Sequence, residues 1–381
     1  MSAQQTRGMC RKPNSRVANM TIKTLQAGRA LAAIAVAAFH LSLGMGLARY
    51  GGQEVFREYT NLGNRGVDFF FVLSGFIISY AHVGDIGKPE TWKHYIHRRF
   101  IRLFPIYWLY TALFVLVLAL LGGTDAKMPT TLWDWVTALS LIRFTDGSPP
   151  LEVAWTLFHE LAFYIVFSTL ILNRRAGLVA LGLFMAFTIS FFHYQGADRP
   201  TALNVYSAAY NFHFLLGMGA FWLYRRGGRG IAEFTLGLFI STVALSTTSL
   251  PNQLSPLFLA LGFALVLAGA TKLELSGDLR IPQFLGLIGD ASYTIYLTHV
   301  SLQGVLLKIA MKTHLHQAIG SGATFIVVLL GTILLGCFLY LTLEQPLLNA
   351  LRGSNKQRLP RNTTVLPHSP IIVAPGIELR E

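Results

Sequence analysis

Runs of about 18–25 nearly uncharged residues recur ten times along this 381-residue chain, and no other feature constrains its fold so tightly. Each run is long enough to cross roughly 30 Å of hydrocarbon as a helix. The spans begin near 25–47, 62–82, 103–122, 155–172 and 176–193 and continue at 204–224, 231–250, 254–271, 283–307 and 319–343. With 53% hydrophobic and 13% charged residues, and a mean hydropathy of +0.49, the chain is too apolar for a soluble domain of this size. The expected fold is therefore all-α, a polytopic bundle of about ten transmembrane helices.

Charge sets the expected orientation. With the N-terminus inside, 22 of the 31 Lys and Arg residues fall on the inner face, eight on the outer face, and Arg29 within the first span. That asymmetry predicts an even number of spans with both termini cytoplasmic. The net charge of +13 is spread over the loops of one face, where anionic lipid headgroups explain it and nucleic acid is not required. The first apolar run follows a basic leader and leads directly into further spans, so it reads as a retained helix and not a cleaved signal. Only Cys10 and Cys337 are present, which predicts neither a disulfide nor a zinc site, and no metal is expected.

The expected organisation is a basic cytoplasmic segment 1–21, a membrane domain 22–350 and a flexible cytoplasmic tail 351–381, the last rich in proline. The longest stretch outside the membrane, 123–154, contains "LWDWVTALSLI", which predicts an amphipathic helix at the outer interface.

Ionisable groups inside spans cost about 2.5–3.5 kcal/mol each on insertion scales, so each one calls for a function and a partner. The alternating direction of the spans gives each a depth. His40 and His299 fall in the outer half of spans one and nine. Asp68 of "NRGVDFFFVLSGF" and Glu160 of "WTLFHELAFY" fall five or six residues below the same surface. Arg29 precedes His40 by eleven residues, three turns plus about 20°, so the two share one helix face about 16 Å apart. Arg98, Arg99 and Arg102 of "HRRFIRLFP" gather at the inner mouth of span three. An anion site at the cytoplasmic face beneath an acid/base constellation suits an elongated substrate with a phosphate-bearing head and a reactive tip.

Structural readings stand beside these. Arg29 can snorkel to the interface, His40 can bridge helices, and Asp68 can pair with Arg65 at i, i+3. Arg98 and Arg99 suit an inner loop on charge alone. Glu344 of "LEQP" reads as structural, and His213 in span six is undecided.

The segments "LQAGRALAAIAVAAFH", "NRGVDFFFVLSGF", "HRRFIRLFPIYW", "WTLFHELAFY", "GDASYTIYLTH" and "LEQP" occur in the order and positions of the acyltransferase 3 family of integral membrane acyltransferases. Over residues 22–350 the chain resembles that family, most nearly its exopolysaccharide O-acetyltransferase branch. The resemblance implies transfer of an acyl group, usually acetyl from acetyl-CoA as donor substrate with no permanently bound cofactor, to a hydroxyl of a cell-envelope or secreted carbohydrate. It also implies a multi-pass protein of the bacterial cytoplasmic membrane. The family's arginine and histidine pattern falls on Arg29 and His40, and its arginine pair on Arg99 and Arg102. Gly28 departs from the pattern, where a leucine or similar residue is expected, and predicts looser packing there. Some members carry an esterase-like domain after the membrane portion, which this chain is expected to lack.

Combining the two lines, Arg29, Arg98, Arg99 and Arg102 are expected to hold the CoA phosphates. His40 is expected to act as general base, with Glu160 or Asp68 orienting its imidazole. Ser74, His299 and Tyr293 are expected to support substrate or site, Ser74 either as an acyl carrier or as a helix-packing residue. The expected partners are acyl-CoA, a carbohydrate or glycolipid acceptor and membrane lipid. The acceptor and the oligomeric state stay open. The alternatives are a transporter or flippase of envelope glycans, acylation of a small glycoside, and a scaffold in a polysaccharide assembly complex. A transporter is disfavoured because no matched pair of Gly/Pro-interrupted spans is present.

Overall fold

The computed structural model describes residues 22–121, 128–191, 201–246 and 254–356. The leader 1–21, residues 123–127 of the extramembrane stretch, and the tail from 357 lie outside them. Among the described residues the elements are helices and no strand is formed. In chain order the principal helices are α1 (Lys23–Met45), α2 (Gly66–His82), α3 (Trp92–Leu121), α4 (Leu132–Ser140), α5 (Trp155–Leu172), α6 (Arg174–Ser190) and α7 (Tyr210–Arg225). There follow α8 (Ile231–Ser246), α9 (Ser255–Ser276), α10 (Gln283–Asp290), α11 (Ser292–Lys312), α12 (Leu315–Leu339), a π-helical turn at Tyr340–Glu344, and α13 (Gln345–Lys356).

Among the described residues seven helical stretches are long and apolar enough to cross a membrane, so the protein is a multi-pass membrane protein. The helices at the other three expected spans, α6, α7 and α8, have 17, 16 and 16 residues. Sixteen residues rise about 24 Å, less than roughly 30 Å of hydrocarbon, and α8 ends where the described residues end. Two expected spans are also interrupted. The run 204–224 breaks between Ala202–Tyr206 and α7, and the run 283–307 divides between α10 and α11 before extending to Lys312.

Local chemistry explains several of these boundaries. Ile22 offers α1 no side-chain cap, and the carboxylate of Glu274 on α9 takes that role, accepting from the backbone N–H of Lys23 (2.8 Å) and Thr24 (2.7 Å). A carboxylate there also complements the positive end of the helix dipole. Asn173 separates α5 from α6 and caps α6 by accepting from Arg175 N and Ala176 N, which makes a tight helical hairpin. The expected helix in "LWDWVTALSLI" forms as α4, opened by a reciprocal capping box between Thr131 and Asp134. Hydrogen bonds from Thr145 and Thr131 hold the Asp134 carboxyl well below its usual range.

Close helix contacts rest on small residues. A methyl group on Gly75 would lie 2.0 Å from the Phe214 carbonyl oxygen, and one on Gly217 would lie 1.9 Å from that of Val72. Helices α2 and α7 therefore meet backbone to backbone, as small residues permit in lipid. Gly28 does not loosen α1 as expected, because the ring of Phe69 fills the space a side chain would occupy, 2.6 Å from where a Cβ would sit. A central apolar cluster containing Tyr107, Phe158, Leu297 and Leu348 ties α3, α5, α11 and α13 together.

Candidate active site

The arginines lie on three helices and face one space. A cavity of about 300 Å³ is lined by Arg29 of α1, by Arg98, Arg99 and Arg102 of α3, and by Arg352 of α13. Ser74 of α2, Thr156, Glu160 and Tyr164 of α5, and Ser292, Tyr293 and Tyr296 of α11 complete its polar lining. In α3 the arginines at 98 and 102 are one turn apart and share a face, with Arg99 beside them. All four arginines expected from the sequence thus meet, and with them Ser74, Glu160 and Tyr293.

Aromatic rings and hydroxyls hold the cluster without neutralising it. Arg29 Nε donates to Ser292 Oγ at 3.0 Å. The Arg99 guanidinium lies 5.2 Å from the Tyr164 ring centre, and that of Arg102 lies 5.7 Å from the Tyr293 ring centre, both within cation–π range. Tyr293 is itself fixed by donating to the Leu103 carbonyl at 2.8 Å. Arg99 Nε is buried with no acceptor among the described residues. Five guanidinium groups face one lining carboxylate, that of Glu160. Such an arrangement offers an anion several charged donors, one of them unpartnered among the described residues.

Glu160 is oriented by two hydroxyls. Ser74 Oγ donates to its Oε1 at 3.3 Å, and Tyr164, one turn on along α5, donates to the same oxygen through a shorter bond. Ser74 is thereby a partner of the carboxylate, and the pair sits in the wall of the arginine cavity.

His40 lies apart from this cavity and pairs with His299. His299 Nδ1 lies 2.7 Å from the Tyr296 carbonyl oxygen, and its Nε2 lies 3.2 Å from His40 Nδ1, which is also 2.9 Å from the Val36 carbonyl. These bonds assign the tautomers. His299 donates from Nδ1 to Tyr296, so its Nε2 lone pair accepts from His40 Nδ1–H. The nitrogen of His40 left to accept a proton is Nε2. Tyr296 connects the two regions, since it lines the cavity, packs edge to face on Phe70 and carries the carbonyl that holds His299.

The expectation that Glu160 or Asp68 orients His40 is not met. Glu160 turns toward the arginine cavity, and Asp68 turns to α7, with Oδ1 3.0 Å from Nε2 of the fully buried His213 and Oδ2 3.7 Å from Arg65. The Arg65 contact is the i, i+3 pairing open to Asp68 in the sequence. His213 Nδ1 donates to the Ala209 carbonyl (3.0 Å), which turns its Nε2 to Asp68. Glu344, in the π-helical turn, is buried and accepts from Thr294 Oγ1 at 2.5 Å, which agrees with its structural reading. Among the described residues no cluster of three or more metal-ligating side chains occurs.

Sequence reasoning missed Tyr164, Ser292, Tyr296 and Arg352. Tyr164 had a signal, its i, i+4 spacing from Glu160. Arg352 had none beyond its place among inner-face basic residues.

The geometry agrees with what the comparisons give. The family model for an acyltransferase domain matches residues 22–341. The chain is 33% identical over 316 residues to the exopolysaccharide production protein ExoZ of Rhizobium meliloti, covering 78% of this chain and 93% of that protein. It is 26% identical over 210 residues to the peptidoglycan O-acetyltransferase OatA of Listeria monocytogenes, covering 49% of this chain and 32% of that protein. No solved structure matches the chain. With a family match over most of its length and a relative this similar, the chain belongs to the acyltransferase 3 family of membrane acyltransferases.

Proposed function

We propose that this protein moves an acetyl group from cytoplasmic acetyl-CoA to a hydroxyl of a cell-envelope or secreted carbohydrate, from a ten-helix domain in the bacterial cytoplasmic membrane with both termini inside. The observation that carries the reading is the five-arginine cavity, whose α1 arginine shares a helix face with His40 about 16 Å away. CoA has an anionic nucleotide head and a thioester at the tip of a long arm. Arg29, Arg98, Arg99 and Arg102 hold the phosphates, and the arm extends past Ser74 and Glu160 toward Tyr296. The names of ExoZ and OatA, an exopolysaccharide production protein and a peptidoglycan O-acetyltransferase, support a polymeric carbohydrate as acceptor.

In the reaction, the acceptor hydroxyl gives its proton to His40 Nε2 while its oxygen attacks the thioester carbonyl. The new C–O bond forms, the C–S bond breaks, and the proton on His40 passes to the departing sulfur. Proton transfer of this kind contributes typically about 10²–10⁴-fold. As His40 becomes cationic, its Nδ1–H donates to His299 Nε2, the role a carboxylate plays in a hydrolase triad. Glu160 is the second acid/base group, placed on the donor side of Tyr296.

Purified protein in lipid nanodiscs, given [¹⁴C]acetyl-CoA and polysaccharide from the host envelope, should transfer label to the polysaccharide as a base-labile ester. Label that never leaves the donor, together with an unchanged acetyl content of envelope glycans in cells lacking the protein, would overturn the reading.

A further inference from the structure

The family match ends at residue 341, yet the arginine cavity is completed by a residue beyond that point. Arg352 of α13 lines the same space as Arg29, Arg98, Arg99 and Arg102. Its position is built and not incidental. Leu348 is 6% exposed and sits in the central cluster with Tyr107 and Phe158, flanked by the partly buried Leu347 and Leu351. Leu348 and Arg352 are four residues apart, so docking the leucine turns the arginine to the same side, one turn further from the core.

The length of the helix places that turn. Past the non-helical Gly320, the helical run from Ser321 to Arg352 rises about 48 Å, half again the hydrocarbon thickness. Its last turns therefore stand clear of the lipid on the side where the α3 arginines gather. There Arg352 is exposed at the cavity mouth and close enough to Arg98 for the two charges to repel. An anion between them relieves that repulsion.

We propose that Arg352 is a donor-binding arginine, holding a phosphate of a nucleotide-bearing acyl donor, and that α13 forms a wall of the donor's entrance. The inference rests on the acetyl-CoA reading above and adds a binding residue outside the family match. An anionic lipid headgroup offers the same phosphate chemistry, so the test separates the two.

The full chain in phosphatidylcholine nanodiscs is assayed with acetyl-CoA and with S-acetylpantetheine, which carries the same thioester without phosphates. Arg352→Ala should raise KM for acetyl-CoA about tenfold, the loss of one exposed charge-assisted contact, with kcat unchanged. KM for S-acetylpantetheine should not move, and Arg352→Lys should recover part of the loss. An unchanged KM for acetyl-CoA in Arg352→Ala overturns the inference, as does an equal change for both donors or a fall in kcat on both. An effect seen only when phosphatidylglycerol is added assigns Arg352 to lipid and overturns it also. A wild-type protein inactive with both donors overturns the acetyl-CoA reading itself, a result distinct from all of these.

Discussion

Replacing His299 tests the pairing that stands where a carboxylate was expected. His299→Ala removes the acceptor 3.2 Å from His40 Nδ1 and leaves the Val36 carbonyl as the one remaining partner of that N–H. A hydrogen bond to a charged group is worth about 1.5–3 kcal/mol, and the His40 imidazole carries its charge during transfer and not before it. The loss should therefore fall on kcat, by about 10- to 150-fold, with KM for acetyl-CoA within about twofold of wild type. His299→Asn, whose side-chain oxygen can accept the same proton, should recover part of the rate. Rates are measured on nanodisc-embedded protein at matched amounts of folded enzyme, judged by monodisperse elution. Full activity in His299→Ala would refute the argument that His299 stabilises the His40 cation. A loss confined to KM would refute the assignment of the pair to the chemical step.

Other perturbations address the donor site and the frame around it. Arg29→Ala and Arg102→Ala should each weaken CoA binding by about one to two decades in titration calorimetry, whereas His40→Ala should leave it nearly intact. The opposite pattern would reverse the direction assigned to the donor. Gly217→Ala places a methyl 1.9 Å from the Val72 carbonyl oxygen, a backbone atom that cannot swing aside, and should cost about 1–3 kcal/mol of stability. An unchanged thermal midpoint in detergent would show that α2 and α7 separate freely. Glu274→Ala removes both acceptors at the start of α1 and should cost about 1 kcal/mol. Faster amide exchange at Lys23 and Thr24 is the expected sign, and exchange at the wild-type rate would argue against the cap.

Depth could be read from the sequence, and direction around the bundle could not. Apolar run length and alternating span direction put His40 and His299 at one level, and the structure brings their rings within hydrogen-bond reach. The basic run "HRRFIRLFP" put Arg98, Arg99 and Arg102 at the inner mouth of span three, and they do line one cavity with Arg29. The same reasoning put Asp68 and Glu160 near the histidines, because a one-dimensional pattern fixes height without naming the neighbouring helix. That neighbour is decided by contacts such as Gly75 on Phe214 and Gly217 on Val72, which seat α2 against α7 and carry Asp68 to His213. Arg352 was hidden for a related reason. Its reach into the cavity depends on Leu348 docking against α3 and α5, and a basic residue after a span otherwise looks like any inner-loop charge.

The excess charge of the cavity leads to one more expectation. Two unit charges about 6 Å apart repel by about 3 kcal/mol at an effective dielectric of 20, and five guanidinium groups here share about 300 Å³ with one carboxylate. The rings of Tyr164 and Tyr293 and the hydroxyl of Ser292 disperse that charge without cancelling it. An unliganded cavity therefore holds counter-anions from solution, and a polyphosphate donor must displace them. Donor binding is then partly an exchange of anions. KM for acetyl-CoA should rise with salt and rise more steeply with phosphate or sulfate than with chloride, while kcat stays level. S-acetylpantetheine brings no phosphate to exchange, so its KM should respond far less to the same salts. Equal salt dependence for the two donors would mean that the arginines do not read the phosphates, and the cavity would have to be assigned to another anion.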